Sequence, residues 1–367
     1  MLTWSKCRWL GAAVVCLIVS GAALAAETRL LYVATPGIRN DLQYGGAGIL
    51  VFDIDAGHRF VKRIETPASR REKPENIKGV CASAATRKLY FTTPTKLTCV
   101  DLISEQSLWE KELPQGCDRM SIVPDGRLLY VPSFEKDTWN VVEGATGNVL
   151  ATVEAKSGAH NTVVGLDGKR MYLAGLRSPL LRIADTSTHQ VVGTVGPFSA
   201  AIRPFTVDGA QTRCYVCVNG LLGFEIGDIT TGKMLARVTV EGYEQGPAKR
   251  HGCPSHGIGL TPDEREAWVC DAHNSRLHVF DITSDAPRQV ASILLRDEPG
   301  WVTFSIDGRF AYASTGEVID PRERKILVAL QDEQGRPVHS EKVVEIDFAD
   351  GAPIRVGDQF GVGRKLP

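Results

Sequence analysis

Residues 251–282, HGCPSHGIGLTPDEREAWVCDAHNSRLHVFDI, hold His251, His256, His273 and His278 together with Asp271, the densest run of chemistry-bearing side chains in the sequence. Neutral imidazoles combined with a carboxylate are ligands for zinc or copper, and a lone imidazole titrating near neutrality is a general base. Elsewhere His160, Asp118, Arg203, Arg119 and Lys78 add an imidazole, a carboxylate, two guanidinium forks suited to a carboxylate or phosphate, and an ammonium. No nucleophile elbow, HExxH or CxxCH occurs, so neither those hydrolase motifs nor covalent haem is expected. These residues lie far apart in sequence. Whether they meet depends on the elements that carry them.

Those elements repeat. Leu31-Tyr32-Val33 returns as Leu89-Tyr90-Phe91, Leu129-Tyr130-Val131, Met171-Tyr172-Leu173, Cys214-Tyr215-Val216, Ala267-Trp268-Val269 and Ala311-Tyr312-Ala313. The seven aromatics are 58, 40, 42, 43, 53 and 44 residues apart, close to the roughly 40–50 residue period of propeller blades. Five residues before the aromatic, Asp125, Asp167 and Asp307 each precede a glycine, a tight-turn signal between two strands. Thirteen residues after it, Glu143, Asp185, Asp228 and Asp281 end a short apolar strand and bond into the next turn. The expected fold is all-β: a seven-bladed β-propeller of four-stranded antiparallel blades. The first repeat starts at its second strand, and an unassigned apolar stretch, 343–348, remains at the other end. It is expected to serve as the first strand of blade 1 and close the ring, which removes open sheet edges.

The segments PDGRLLYVPS, LDGKRMYLAG and TPDEREAWVCD resemble the YVTN family of β-propeller repeats over nearly the whole mature chain. The resemblance implies a seven-bladed, YncE-like extracytoplasmic protein, in a group that also includes the propeller chain of quinoprotein amine dehydrogenases. It specifies the fold far better than a function.

Stepping back twelve residues from each aromatic gives the start of the innermost strand in six blades: Lys78, Asp118, His160, Arg203, His256 and Gly300. The next column holds Gly79, Arg119, Asn161, Pro204, Gly257 and Trp301. The expected ligand-binding set is therefore Lys78, Asp118, Arg119, His160, Arg203, His256 and Trp301 around the channel mouth, with Asp271 and His273 overhanging from a loop of blade 6. Glu135, Lys136, Asp137 and Arg177 overhang from blades 3 and 4. The long blade-1 loop within 36–48 adds Arg39, Asp41 and Tyr44, and the insertion 241–253 adds Lys249, Arg250 and His251. His160 and His256 are the catalytic candidates, with Arg203 or Lys78 to stabilise developing negative charge. His160, His256 and His251 are the candidate ligands of a divalent metal. His160 and His256 stand two blades apart, so a shared ion requires a narrow mouth.

The leading expectation is a propeller that binds a small polar or anionic molecule, or a periplasmic protein, at this face; the alternative is an enzyme, metal-assisted or acid/base, using the same histidines. A formal net charge of −1 supplies no footprint for nucleic acid. Lys6 and Arg8 precede an apolar run from Trp9 to Val19 and the small-residue site Ala23-Leu24-Ala25, which reads as a signal peptide over 1–25, cleaved after Ala25. Residues 26–367 then form one exported, monomeric propeller, periplasmic or secreted, without a membrane span. Of nine cysteines, Cys7 and Cys16 leave with the leader. Cys214 and Cys217 match CxxC, but three positions apart on a strand they face opposite ways. His58, His189, His278 and His339 are expected in solvated loop or outer-strand positions, and the polar run 332–342 is expected to be a connection.

Overall fold

The aromatic triplets form the second strands of seven antiparallel sheets in a computed structural model that describes residues 1–2, 27–248 and 252–365. The leader with its cleavage site, and Lys249, Arg250 and His251, lie outside the described residues. Blades 2 to 7 each contain four strands, and strands are the regular elements throughout. Blade 4 is representative: Ala159–Val164, Arg170–Gly175, Leu181–Asp185 and Gln190–Val195, from the axis outward. Its second strand is almost wholly buried and its fourth is mostly exposed. A blade's inner strands bury both faces against two neighbours, so they read as continuous apolar runs.

The landmarks serve the expected local purposes. Gly126, Gly168 and Gly308, after the three turn aspartates, have φ of 75°, 70° and 70°, where glycine is at no steric cost. Asp185 accepts from the backbone N–H groups of Ser187 and Thr188, and Asp228 from those of Thr230 and Thr231. The repeat tyrosines also tie blades together. Tyr90 donates to the Gly144 carbonyl at 2.9 Å, Tyr130 meets His189 Nδ1 at 2.6 Å, and Tyr312 meets His58 Nε2 at 3.2 Å. His58 is therefore buried between blades 7 and 1 rather than solvated.

Val343–Ala349 pairs antiparallel with Glu27–Thr35, with Val344 opposite Tyr32, and supplies the first strand of blade 1. Two further features depart from the expected four-stranded blade. Ala352–Val356 adds a fifth strand on the inner edge of that closing strand, and the chain then crosses the channel as a tail. At the seam, buried Arg29 pairs with Glu345 at 3.1 Å, Asp307 at 3.1 Å and Asp55 at 3.2 Å, joining the closing strand, blade 7 and blade 1. Breaking a buried pair by removing one partner typically costs about 3–5 kcal/mol.

Burial pushes the Glu345 carboxyl up to about 7, with Asp347 adding to the effect and the Ile306 N–H and Arg29 opposing it. A carboxyl raised above its unfolded value of about 4.3 contributes stability that is complete below that value and lost as pH rises through the folded pKa. The melting temperature of the wild type, relative to Glu345→Gln, is accordingly expected to fall between about pH 4.5 and 7.5. A constant difference measured by scanning calorimetry over that range would contradict this assignment.

Candidate functional site

One pairing rule sets the site. Each repeat aromatic lies opposite the third residue after its blade's rim residue: Tyr90 opposite Cys81, Tyr130 opposite Ser121, Tyr172 opposite Val163, Tyr215 opposite Thr206, Trp268 opposite Gly259 and Tyr312 opposite Thr303. The closing strand obeys it too. Tyr32 opposite Val344 makes Glu341 the seventh rim residue and Lys342 the member of the next column. Both had looked like part of a connecting run, although the closing strand predicted from sequence was enough to place them.

Lys78, Arg119, His160, Arg203 and His256, from blades 2 to 6, converge on one polar cavity of about 260 Å³. Glu341 and Lys342 of blade 1 also line it, as do Asn76, Glu135, Leu176 and the loop residues Ile38 and Arg39. The side chains of the sequence-derived columns thus meet because equivalent positions point toward one axis.

Most of the charges neutralise one another. Asp118, fully buried under the cavity, lies 2.6 Å from His160 Nδ1 through Oδ2 and 3.6 Å from the Lys78 ammonium through Oδ1. Burial works against ionisation of Asp118, but His160, Lys78 and Arg119 outweigh it and hold the carboxyl well below its usual range. Burial pushes the His160 imidazole down; Asp118 opposes that, while Arg119 and Lys78 reinforce it. The pair is thus a carboxylate accepting from a neutral ring. Across the mouth, Glu341 accepts from both Arg119 and Lys342, and the Lys342 ammonium also donates to the Gly37 carbonyl at 2.7 Å. Burial and the nearby Arg119 and Lys78 lower the Lys342 pKa to about 7, against the pull of Glu341. Arg203 differs. Its Nε donates to the neutral Asn219 Oδ1 at 2.7 Å, and it meets no carboxylate among the described residues.

The tail makes the cavity one-ended. Gln359 accepts from the Val80 N–H and donates to the Met120 carbonyl, Gly361 accepts from Thr206 and the Leu260 N–H, and the Gly363 N–H donates to Val207, so the segment touches blades 2, 3, 5 and 6. A Cβ on Gly361 (φ 58°) would lie 2.6 Å from Gly259 Cα, so only glycine permits this approach. Trp301 forms the partition: its indole N–H donates to the Gln359 carbonyl and Phe360 packs edge-on at 5.9 Å, while the Arg119 guanidinium lies 4.0 Å from the ring centroid. The Asn161 side-chain amide and the Arg119 Nε are buried nearby without hydrogen-bond partners among the described residues.

The structure places several of the expected residues away from the cavity wall. Trp301 and Asp118 are buried beneath the cavity and are not among the residues that line it. Asp271 is buried on blade 6, bonded to His278 Nε2 at 3.0 Å and to Asn274, and His273 packs against Gly246; neither reaches the cavity. His278 is wholly buried, its Nδ1 2.9 Å from Ser292 Oγ, and His339 is buried as well. An outer-strand position is solvated only where no loop covers it. For the divalent metal, His256 Nδ1 is 3.1 Å from the Gly300 carbonyl and His160 Nδ1 is committed to Asp118. No group of three His, Cys, Asp or Glu arranged for a metal occurs among the described residues, and His251 lies outside them. Cys81, Cys99, Cys117, Cys214, Cys217, Cys253 and Cys270 are all free thiols. Cys214 and Cys217 belong to different core clusters on opposite faces of their strand.

A second cavity of about 300 Å³ lies at the other end of the channel, between the tail and the turns of blades 2 to 4. Its wall is mainly apolar, and its arginines are paired: Arg355 with Asp347 and Glu27, Arg364 with Asp358. The rim cavity combines a base, an acid-paired lysine and a guanidinium that meets no carboxylate among the described residues.

Fold and site together define a seven-bladed β-propeller with a polar cup at one end of its channel. No protein-family model matches the chain, and no curated protein sequence matches it. Among solved structures, the chain is similar to one in "Crystal Structure of Mitotic Checkpoint Complex", at 13% identity and a TM-score of 0.61, covering 85% of this chain and 95% of that one. It is also similar to one in "Kuenenia stuttgartiensis Hydrazine Synthase", at 13% identity and a TM-score of 0.47, covering 73% of this chain and 99% of that one. The first likeness supports the propeller fold. Among the described residues no helix is long and apolar enough to cross a membrane.

Two truncations separate the duties of the C-terminal region. A chain ending at Gly357 keeps the closing strand and is expected to stay soluble, with a lower melting temperature and a red-shifted tryptophan emission that Trp301→Phe abolishes. A chain ending at Lys342 is expected to aggregate. A Gly357-terminated chain with wild-type melting and emission would show that the tail does not seal the cup.

Proposed function

We propose that this is an exported β-propeller of the YVTN-repeat, YncE-like type that binds a small anionic molecule in its cup. One observation carries the ligand class: Arg203 lines the cavity with its Nε on the neutral Asn219 and meets no carboxylate among the described residues, whereas Arg119, Lys78 and Lys342 each have one. The wider charge balance agrees, since Arg39, Lys78, Arg119, Arg203 and Lys342 line the cavity against Glu135 and Glu341. A planar fork in a closed-bottomed, partly desolvated cup favours a carboxylate or phosphate group. Trp301 and the tail block passage, so the ligand enters and leaves by the same mouth.

Export rests on the charged, then apolar, then small-residue order of the first 25 residues, and on the YVTN-like repeats that follow. Seven free thiols, six of them buried and Cys81 partly so, fit either compartment, because a core of this size does not need disulfides.

Calorimetric titration with succinate and with inorganic phosphate tests the binding reading. Arg203→Ala is expected to weaken the bound anion by about 1.5–3 kcal/mol, roughly 10-fold or more, the value of a hydrogen bond to a charged group. Equal affinities of variant and wild type, or no binding of succinate, phosphate or the further carboxylate pyruvate to the wild type, would refute it. N-terminal sequencing of protein recovered from outside the cytoplasm is expected to begin at Ala26, and an intact leader on that protein would refute cleavage there.

A further inference from the structure

His278 and His160 each hydrogen-bond to an aspartate, and their differences are informative. His278 is satisfied at both ring nitrogens, by Asp271 and Ser292, and lies off the cavity, as a structural imidazole should. His160 is satisfied at one. Its Nδ1–H donates to Asp118, whose carboxylate can only accept. The lone pair is therefore on Nε2, which has no hydrogen-bond partner among the described residues, and the side chain lines the cup. A neutral imidazole oriented from behind by a buried carboxylate is the arrangement of a general base.

We propose that the cup is catalytic: a small 2-oxo acid, held by its carboxylate on Arg203, loses a proton from the carbon beside its ketone to His160 Nε2, with Asp118 as the positioning residue. This rests on the anion-binding reading above. The cavity wall contains no hydroxyl or thiol side chain among the described residues, so proton transfer fits it better than attack by a serine, threonine or cysteine. A 2-oxo acid is the simplest molecule that places an acidic C–H next to an anionic handle. In the step, the C3–H bond breaks and its proton goes to Nε2. The electron pair forms a C2–C3 double bond, and the ketone π pair moves onto the C2 oxygen as an enolate. Lys78 and Arg119, beside the Asp118–His160 pair, are the cations placed to stabilise that oxygen. After the Nε2 proton exchanges with solvent, its return to C3 regenerates the 2-oxo acid. Burial and those two cations lower the His160 pKa while Asp118 raises it, which keeps the ring a base at neutral pH.

Proton NMR of pyruvate in deuterium oxide tests this. The wild type is expected to replace the C3 protons with deuterium in a saturable reaction. His160→Gln should slow the exchange at least ~100-fold, the scale of lost general-base catalysis, with the calorimetric Kd for pyruvate unchanged. Asp118→Asn should lower kcat with little change in KM and move the acid limb of the pH profile to lower pH, because the carboxylate no longer raises the His160 pKa; a purely structural aspartate would not move that limb. Melting curves show whether each variant is folded, and the pH shift provides a second test if His160→Gln is not. Pyruvate binding without exchange in the wild type, or undiminished exchange in folded His160→Gln, overturns the catalytic proposal and leaves anion binding standing. Absence of pyruvate binding while succinate or phosphate binds also overturns the catalytic proposal alone. Absence of binding by all three overturns both.

Discussion

Closure of the ring by 343–349 against 27–35 is the constraint on which the other features depend. A blade of this kind buries both faces of its inner strands, so it is stable only between two neighbours, and seven blades in a row would leave two apolar faces bare. The closing strand joins the two ends, and the Arg29 cluster adds charges drawn from blade 7, blade 1 and the strand itself. Only in the closed ring do the starts of the innermost strands face a common axis, and the cup is built from those positions. The protein's stability and its candidate chemistry therefore share one cause.

The tail adds what the ring cannot. A propeller has an open channel, and water running through it would screen charges at the mouth. Here residues 357–365 cross the channel, and Trp301 stands between the tail and the cup, with Phe360 on one side and Arg119 on the other. Charges in a closed-bottomed, largely buried setting interact more strongly than on an open rim. The Asp118–His160 pair and the lowered Lys342 pKa both follow from that burial.

Charge is distributed unevenly around the cup. On the side of blades 1 to 4, acids and bases pair closely: Glu341 with Arg119 and Lys342, and Asp118 with Lys78 and His160. In blade 5, Arg203 has no such partner among the described residues. On the proposed anion-binding reading, this asymmetry would orient the ligand, with its charged group toward Arg203 and the rest toward the His160 side. Function then depends on which pairs are internally satisfied and which are not, as the contrast between His160 and His278 illustrates.

The sequence by itself determined the blade count, the turn chemistry at Asp125, Asp167 and Asp307, the closing strand, and seven of the residues that line the cup: Lys78, Arg119, His160, Arg203 and His256 by register, and Arg39 and Glu135 by their overhanging loops. All of these follow from a period: the strand pattern repeats, the turn has a steric requirement, and a residue's offset from the aromatic sets its depth in the blade. Tertiary structure alone decided which rim residues pair, because offset gives the depth of Asp118 and His160 but not the width of the channel between them. It also decided the course of the tail, since 352–365 match no part of the repeat and their hydrogen bonds go to six of the seven blades. Asp271, His273 and His278 followed the same rule. Their position along the strand was readable, but whether it faced ligand, solvent or a covering loop depended on neighbours that a local pattern does not encode.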